Sequence, residues 1–215
     1  MDNRRQRLDG SLLYLVCDAQ PDRFLHAVLS AGVDLVQLRM KEAGDDEITR
    51  TGERFRRVCA EHGALLILND RPDLAVAIRA DGVHVGQDDM TVAAARATVG
   101  RDLLVGLSTH SPSQVNGAAG ADYIGVGPVF ETPTKPGRPA VGLELVRYAA
   151  QHAEVPFFAI GGIGVDNVAS VRTAGARRVA VVRALTQANE PGAVARRLTR
   201  VLAARGGKEA YVGAT

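Results

Sequence analysis

Short runs of apolar, β-branched residues alternate along this chain with longer segments rich in Ala, Leu, Arg and Glu. The runs are Leu12–Cys17, Leu35–Met40, Leu65–Asn69, Gly82–Val85, Leu103–Ser108, Tyr123–Val129, Val155–Gly161 and Arg178–Arg183. They are nearly continuous in apolar character. That pattern predicts parallel strands covered on both faces, since a sheet with one wet face would alternate polar and apolar residues. Helical patterns fall between them, most clearly at Glu47–His62, Thr91–Val99 and Pro191–Ala204. Glycine pairs precede several runs: Gly32-Val33, Gly63-Ala64, Gly120-Ala121 and Gly175-Ala176. A glycine there can end a helix in the left-handed conformation and turn the chain into the next strand.

Eight strands, each followed by a helix, is the count that closes a barrel, whereas an open doubly wound sheet usually uses fewer. The fold predicted is therefore α/β, a single (β/α)8 TIM barrel over 12–204. Residues 1–11 form an N-terminal extension and 205–215 a flexible tail. The length of 215 residues suits one such domain, and 46% apolar residues suffice for its core, with no Trp. A net charge of +2, with no basic run interleaved with aromatics, gives no reason to expect a nucleic-acid partner. Without an apolar run of about 18 residues or a signal-peptide pattern, the chain reads as soluble and cytoplasmic. Cys17 and Cys59 lack metal-ligand spacing and read as buried thiols. Apolar residues scattered over the helical segments are compatible with a homodimer and equally with ordinary surface.

In such a barrel the active site lies where strands end and loops begin. Those ends carry Gln37-Leu38-Arg39-Met40-Lys41, Asn69-Asp70, His84 to Asp89, Ser108-Thr109-His110, Thr132-Pro133-Thr134-Lys135, Gly161-Gly162 and Arg183. Arg39, Lys41 and Lys135 bring three cations to one mouth; Asp70 and Asp89 bring two carboxylates. Either they neutralise one another, or the carboxylates hold a hard cation while the bases hold phosphate. Mg²⁺ is commonly bound by one or two carboxylates, with phosphate oxygens and water completing its shell. Gly161-Gly162 lets backbone approach a second phosphate closely. The segment Phe130–Ala140, with two hydroxyls and a lysine, suits a lid. Two anion sites, one assisted by metal, point to an enzyme that joins or splits two phosphorylated small molecules.

As a set, Gln37–Lys41, Asn69-Asp70, the run Asp81 to Asp89, Thr132–Lys135 and Ile160-Gly161-Gly162-Ile163 resemble the thiamine phosphate synthase family, in order and over roughly 12–200. The resemblance implies a transferase that couples 4-amino-2-methyl-5-hydroxymethylpyrimidine diphosphate to 4-methyl-5-hydroxyethylthiazole phosphate, releasing diphosphate with Mg²⁺ as cofactor. It implies that Gln37, Leu38, Arg39, Met40, Lys41, Asn69, Ser108 and Lys135 bind the pyrimidine diphosphate. Of these, Arg39, Lys41, Ser108 and Lys135 would carry catalysis. Asp70 and Asp89 would hold the metal. Thr132, Pro133, Thr134, Gly162, Val182 and Arg183 would bind the thiazole phosphate. Arg183 departs from the pattern, because many relatives carry serine there. His84 and His110 read as supporting residues. A thiazole tautomerase, a sugar-phosphate isomerase barrel or a non-enzymatic regulatory barrel would each leave part of this charge set unexplained.

Overall fold

The computed structural model describes residues 4–132 and 139–204. Eight parallel strands close into a barrel in sequence order, with the eighth pairing back on the first. They are β1 (Leu13–Cys17), β2 (Leu35–Leu38), β3 (Leu65–Asn69), β4 (Gly82–Val85), β5 (Leu104–Thr109), β6 (Tyr123–Val126), β7 (Phe157–Ile160) and β8 (Val179–Val181). A helix, α1 (Arg4–Gly10), precedes β1. One helix follows each of the first seven strands in turn: α2 (Asp22–Leu29), α3 (Asp45–Glu61), α4 (Pro72–Ala77), α5 (Val92–Val99), α6 (Pro112–Asn116), α7 (Gly142–His152) and α8 (Val168–Thr173). Two more, α9 (Arg183–Thr186) and α10 (Pro191–Ala203), follow β8. All eight predicted strands are present.

Alternation along each strand sorts the core into two populations. Outward residues such as Leu15, Val36, Leu66, Val83, Val105 and Ile124 pack against the helices. Inward residues form a smaller cluster of Leu8, Tyr14, Val16, Leu35, Leu65, Ile67, Leu104, Tyr123, Phe158 and Ala180. The helices present matching stripes: α3 buries Ile48, Gly52, Phe55, Val58 and Cys59 and begins with Asp45, Asp46 and Glu47. That spacing puts one apolar face on the barrel, and the acidic first turn complements the helix dipole. Gly32, Gly63, Gly120 and Gly175 all have positive φ, as the turn chemistry before the strands requires.

The N-terminal end of the barrel is closed by α1, a helix that the hydrophobic pattern does not reveal. Leu8 drops into the inner cluster, only 2% exposed; such burial contributes about 1.5–3 kcal/mol. Arg4 pairs with Asp81 at 3.0 Å, Arg5 with Asp122 at 2.9 Å, and Arg178 Nη2 donates to the Asp9 carbonyl at 2.8 Å. Three aspartates placed just ahead of even-numbered strands do a second job. Asp34 accepts from Leu12 N and Leu13 N, Asp81 from Leu66 N, and Asp122 from Val105 N. Each ties its strand's start to the preceding strand, so the lower rim is held by side chains as well as by the sheet.

Candidate active site

Toward the C-terminal end the inward positions change from aliphatic to polar. On β2, Leu35 gives way to Gln37; on β3, Leu65 and Ile67 give way to Asn69; on β5, Leu104 gives way to Gly106 and Ser108. These ends open onto a cavity of 450 Å³ lined by Gln37, Arg39, Asn69, Ser108, Thr132, Gly162, Val182 and Arg183 among others. That size is within the roughly 300–1,000 Å³ range of small-molecule sites. The structure thus brings into one space residues as far apart in the chain as Gln37 and Arg183.

Several local features place these groups. Arg39 N donates to the Cys17 carbonyl at 2.8 Å, which carries β2 past its last paired residue and sets the guanidinium at the mouth. Leu38 is 1% exposed and packs outward among the helices. Met40 is partly buried against the same outer core. Neither residue lines the cavity. Lys41 lies close enough to Asp70 to draw its pKa down.

Asp70 adopts φ 58°, a left-handed conformation that Asp tolerates better than most residues. Its own N–H donates to the His84 carbonyl at 2.9 Å, and its carboxylate accepts from Asn69 Nδ2 at 2.5 Å. Burial and the neighbouring Asp89 charge nevertheless push the Asp70 carboxyl above its ordinary pKa. Asp89 accepts from Gly86 N at 3.1 Å, and a side chain at 86 would run into that carboxylate. Two close carboxylates held in this way repel until a cation or a proton comes between them. Among the described residues no group of three or more His, Cys, Asp or Glu could hold a metal alone. The set fits Mg²⁺ that takes its remaining ligands from phosphate and water, and it does not fit an all-protein cage.

Among the described residues, Arg39, Lys41 and Arg183 make no ion pair, although other basic residues do. Arg71, next in the chain to Asp70, is engaged by both Asp45 and Asp73. Among the described residues, then, no salt bridge joins these three cations to the carboxylates, although Lys41 is near enough to favour the charged form of Asp70.

The Gly161-Gly162 turn has φ of 105° and 65°. A Cβ on Gly161 would come within 2.5 Å of Pro128, and one on Gly162 within 2.7 Å of Phe130. Asn167 braces the turn, donating to the Gly162 carbonyl at 2.8 Å and accepting from Gly164 N at 2.9 Å. Gly162 and Ile163 N–H donate to no described residue. The helix α8 begins only at Val168, so it is this turn, rather than a helix start, that offers donors to the cavity. Pro133, Thr134 and Lys135 lie outside the described residues.

Sequence reasoning missed a buried pair of phenols beneath these groups. Tyr14 and Tyr123 sit inside the barrel, their hydroxyls 3.0 Å apart. Gln37 Nε2 donates to Tyr14 at 2.6 Å, and His84 lies between Tyr123 and Ser108 at 3.2 and 3.0 Å. A tyrosine within an otherwise aliphatic run was the available signal. His84 is thereby a support for Ser108, and Gln87 Nε2 adds a bond to the Ser108 carbonyl at 2.6 Å.

A family profile described as thiamine monophosphate synthase matches residues 13–185. The chain belongs to that family. A thiamine-phosphate synthase of Acidothermus cellulolyticus is 51% identical over 206 residues, 92% of this chain and 97% of that protein. Its counterpart in Saccharopolyspora erythraea is 50% identical over 206 residues, 89% and 92% of the two chains. Among solved structures, a thiamine phosphate pyrophosphorylase from Pyrococcus furiosus superposes with a TM-score of 0.84 at 32% identity, covering 93% of this chain and 98% of its own. A 3-hexulose-6-phosphate synthase, TM-score 0.63 at 20% identity, shares the fold alone. Family membership makes the chain an enzyme of the transferase class. No helix among the described residues is long and apolar enough to cross a membrane.

Proposed function

We propose that this transferase joins 4-amino-2-methyl-5-hydroxymethylpyrimidine diphosphate to 4-methyl-5-hydroxyethylthiazole phosphate, giving thiamine phosphate and diphosphate. The observation that carries the reading is the convergence of Gln37, Arg39, Asn69, Ser108, Thr132, Gly162, Val182 and Arg183 from six strand ends on one cavity, where neither Arg39 nor Arg183 forms an ion pair with a described residue. In this reading the carbon–oxygen bond between the pyrimidine methylene and diphosphate breaks first, its electron pair leaving with diphosphate. The lone pair of the thiazole nitrogen then forms the carbon–nitrogen bond. That nitrogen needs no proton removed, so the attack requires no general base.

Arg39 and Lys41, with Lys135 from the loop, hold the departing diphosphate, where preorganised positive charge does most for a developing anion. Asp70 and Asp89 hold Mg²⁺, which when bound supplies further positive charge to the diphosphate oxygens. Asn69 keeps Asp70 oriented; Gln37 and Ser108 grip the pyrimidine edge. Thr132, Thr134 and the Gly162 turn seat the thiazole phosphate, with Val182 and Arg183 on its far side. Mixing the two precursors with Mg²⁺ and the purified chain tests the proposal: release of diphosphate with formation of thiamine phosphate is expected. No coupling would also leave the tautomerase and sugar-phosphate isomerase alternatives to be assayed.

Arg183 lines the cavity with no carboxylate partner among the described residues and can grip phosphate through two N–H groups. Arg183→Ser is expected to raise the KM for thiazole phosphate roughly tenfold, the loss of one charged hydrogen bond, with the KM for pyrimidine diphosphate unchanged. An unchanged thiazole phosphate KM would assign that contact to backbone.

A further inference from the structure

Beneath the mouth runs an unbroken line of hydrogen bonds: Gln37 Nε2 to Tyr14 at 2.6 Å, Tyr14 to Tyr123 at 3.0 Å, Tyr123 to His84 Nδ1 at 3.2 Å, and His84 Nε2 to Ser108 Oγ at 3.0 Å. Gln37, Tyr14, His84 and Ser108 all border the cavity, Tyr14 with only 2% of its surface exposed, and Tyr123 is fully buried behind them. The barrel is shaped to admit this line. A Cβ at Gly106 would fall within 2.5 Å of both the Tyr123 hydroxyl and His84 Nδ1, so glycine at that strand position makes the room. Edge-on contacts of Tyr14 and Tyr123 with Phe158, at centroid distances of 5.2 and 5.7 Å, fix the ring planes.

We infer that this line couples the hydrogen-bonding polarity of the two ends of the pyrimidine pocket, making Tyr14 and Tyr123 positioning residues for recognition of an amino-substituted pyrimidine. Each phenol has one proton to give, and burial raises both above the usual phenol pKa, so neither ionises near neutrality. When Gln37 donates to Tyr14, the arrangement that gives each phenol proton a partner within the line has Tyr14 donating to Tyr123 and Tyr123 to His84 Nδ1. A neutral His84 then carries its proton on Nε2 and donates it to Ser108, whose own proton turns to the cavity. The Gln37 carbonyl oxygen meets no described donor and is not among the buried unpartnered atoms; it also faces the cavity. The pocket therefore offers an acceptor at Gln37 and a donor at Ser108. Those suit an exocyclic amino group and a ring nitrogen. Reversing one end requires reversing all five members. A pyrimidine with an oxo group in place of the amino group meets the Gln37 carbonyl with another acceptor, and it can be accommodated only by inverting the entire line.

This inference rests on the function proposed above, and the test separates the two. The measured quantity is the Ki of the 4-oxo pyrimidine diphosphate relative to the KM of the 4-amino substrate, in the unaltered chain, Tyr14→Phe and Tyr123→Phe. Discrimination against the oxo compound is expected to fall about tenfold or more in both variants, with the thiazole phosphate KM unchanged. Tyr123→Phe is decisive, because Tyr123 bonds neither Gln37 nor Ser108 directly; a packing role alone would leave its ratio untouched. An unchanged ratio in a Tyr123→Phe protein that still turns over overturns the inference and leaves the proposed reaction standing. Absence of coupling in the unaltered chain overturns both. Should the variants fold poorly, the ¹⁵N resonances of His84 in the unaltered chain, bound to the aminopyrimidine diphosphate, decide instead. A proton on Nε2 supports the inference, and one on Nδ1 overturns it.

Discussion

Asp70→Asn is expected to slow diphosphate release roughly a thousandfold, about 4 kcal/mol of transition-state stabilisation, while the barrel stays folded. Asparagine is the informative replacement because Asp70 has φ 58°, which Asn accepts and Ala resists. The fold has little to lose. Burial and Asp89 already make the charged form of Asp70 unfavourable, so removing the charge relieves repulsion. A raised pKa means that the folded state holds the Asp70 proton more tightly than the unfolded chain does. The resulting stabilisation is complete below about pH 4, the ordinary carboxylate value, and is lost as pH rises through the raised one. A cation can replace the proton. Thermal stabilisation by Mg²⁺ is therefore expected to be greater at neutral pH than near the ordinary carboxylate pKa, and to shrink in Asp70→Asn. Near-normal turnover of that variant with both substrates and Mg²⁺ would overturn the metal assignment.

The second large effect concerns stability. Gly161→Ala combines two penalties: a non-glycine residue at φ 105°, and a Cβ within 2.5 Å of Pro128 Cα and Cβ. Left-handed backbone costs about 1–2 kcal/mol and overpacking about 1–3 kcal/mol. A total near 3 kcal/mol would lower Tm by about 6–12 °C in a domain of this size. Gly63→Ala is the control, since Gly63 has φ 66° but nothing within 4 Å of its would-be Cβ. It carries only a backbone penalty, milder at φ 66° than at φ 105°, so the extra loss of Tm in Gly161→Ala reports the clash together with the less favourable backbone. Equal melting temperatures would show that the Pro128 loop yields freely, and that the turn is not the rigid seat described above.

Reading the sequence succeeded where one physical rule governs many residues. Burial on both faces wrote each strand as an apolar run, and the four pre-strand glycines all carry the positive φ that their position demands. Strand ends were read too long where the ladder stops before the apolar run does. The run Tyr123–Val129 pairs only to Val126, because the chain must leave the sheet to build the mouth and Pro128 has no N–H to offer. The helix α1 was invisible for a different reason. Its seven residues bury one side chain, Leu8, too little to produce a periodic pattern. At the site, charged residues at strand ends stand out in the sequence because the strand bodies before them are apolar. The Tyr14–Tyr123 line was hidden because a buried tyrosine looks like any other core aromatic until its hydroxyl partner is located.

The division between the two ends of the barrel reaches beyond this reaction. Leu35 and Gln37 are two residues apart on one strand, yet one helps to seal the floor with Leu8 and the other faces a ligand. Asp34, Asp81 and Asp122 brace the floor without touching the mouth. Substitutions above and below that line should thus be nearly independent in their effects on folding and chemistry. A lineage, or a designer, could keep the lower rim as a fixed chassis and rewrite the upper residues to suit a different pair of reactants.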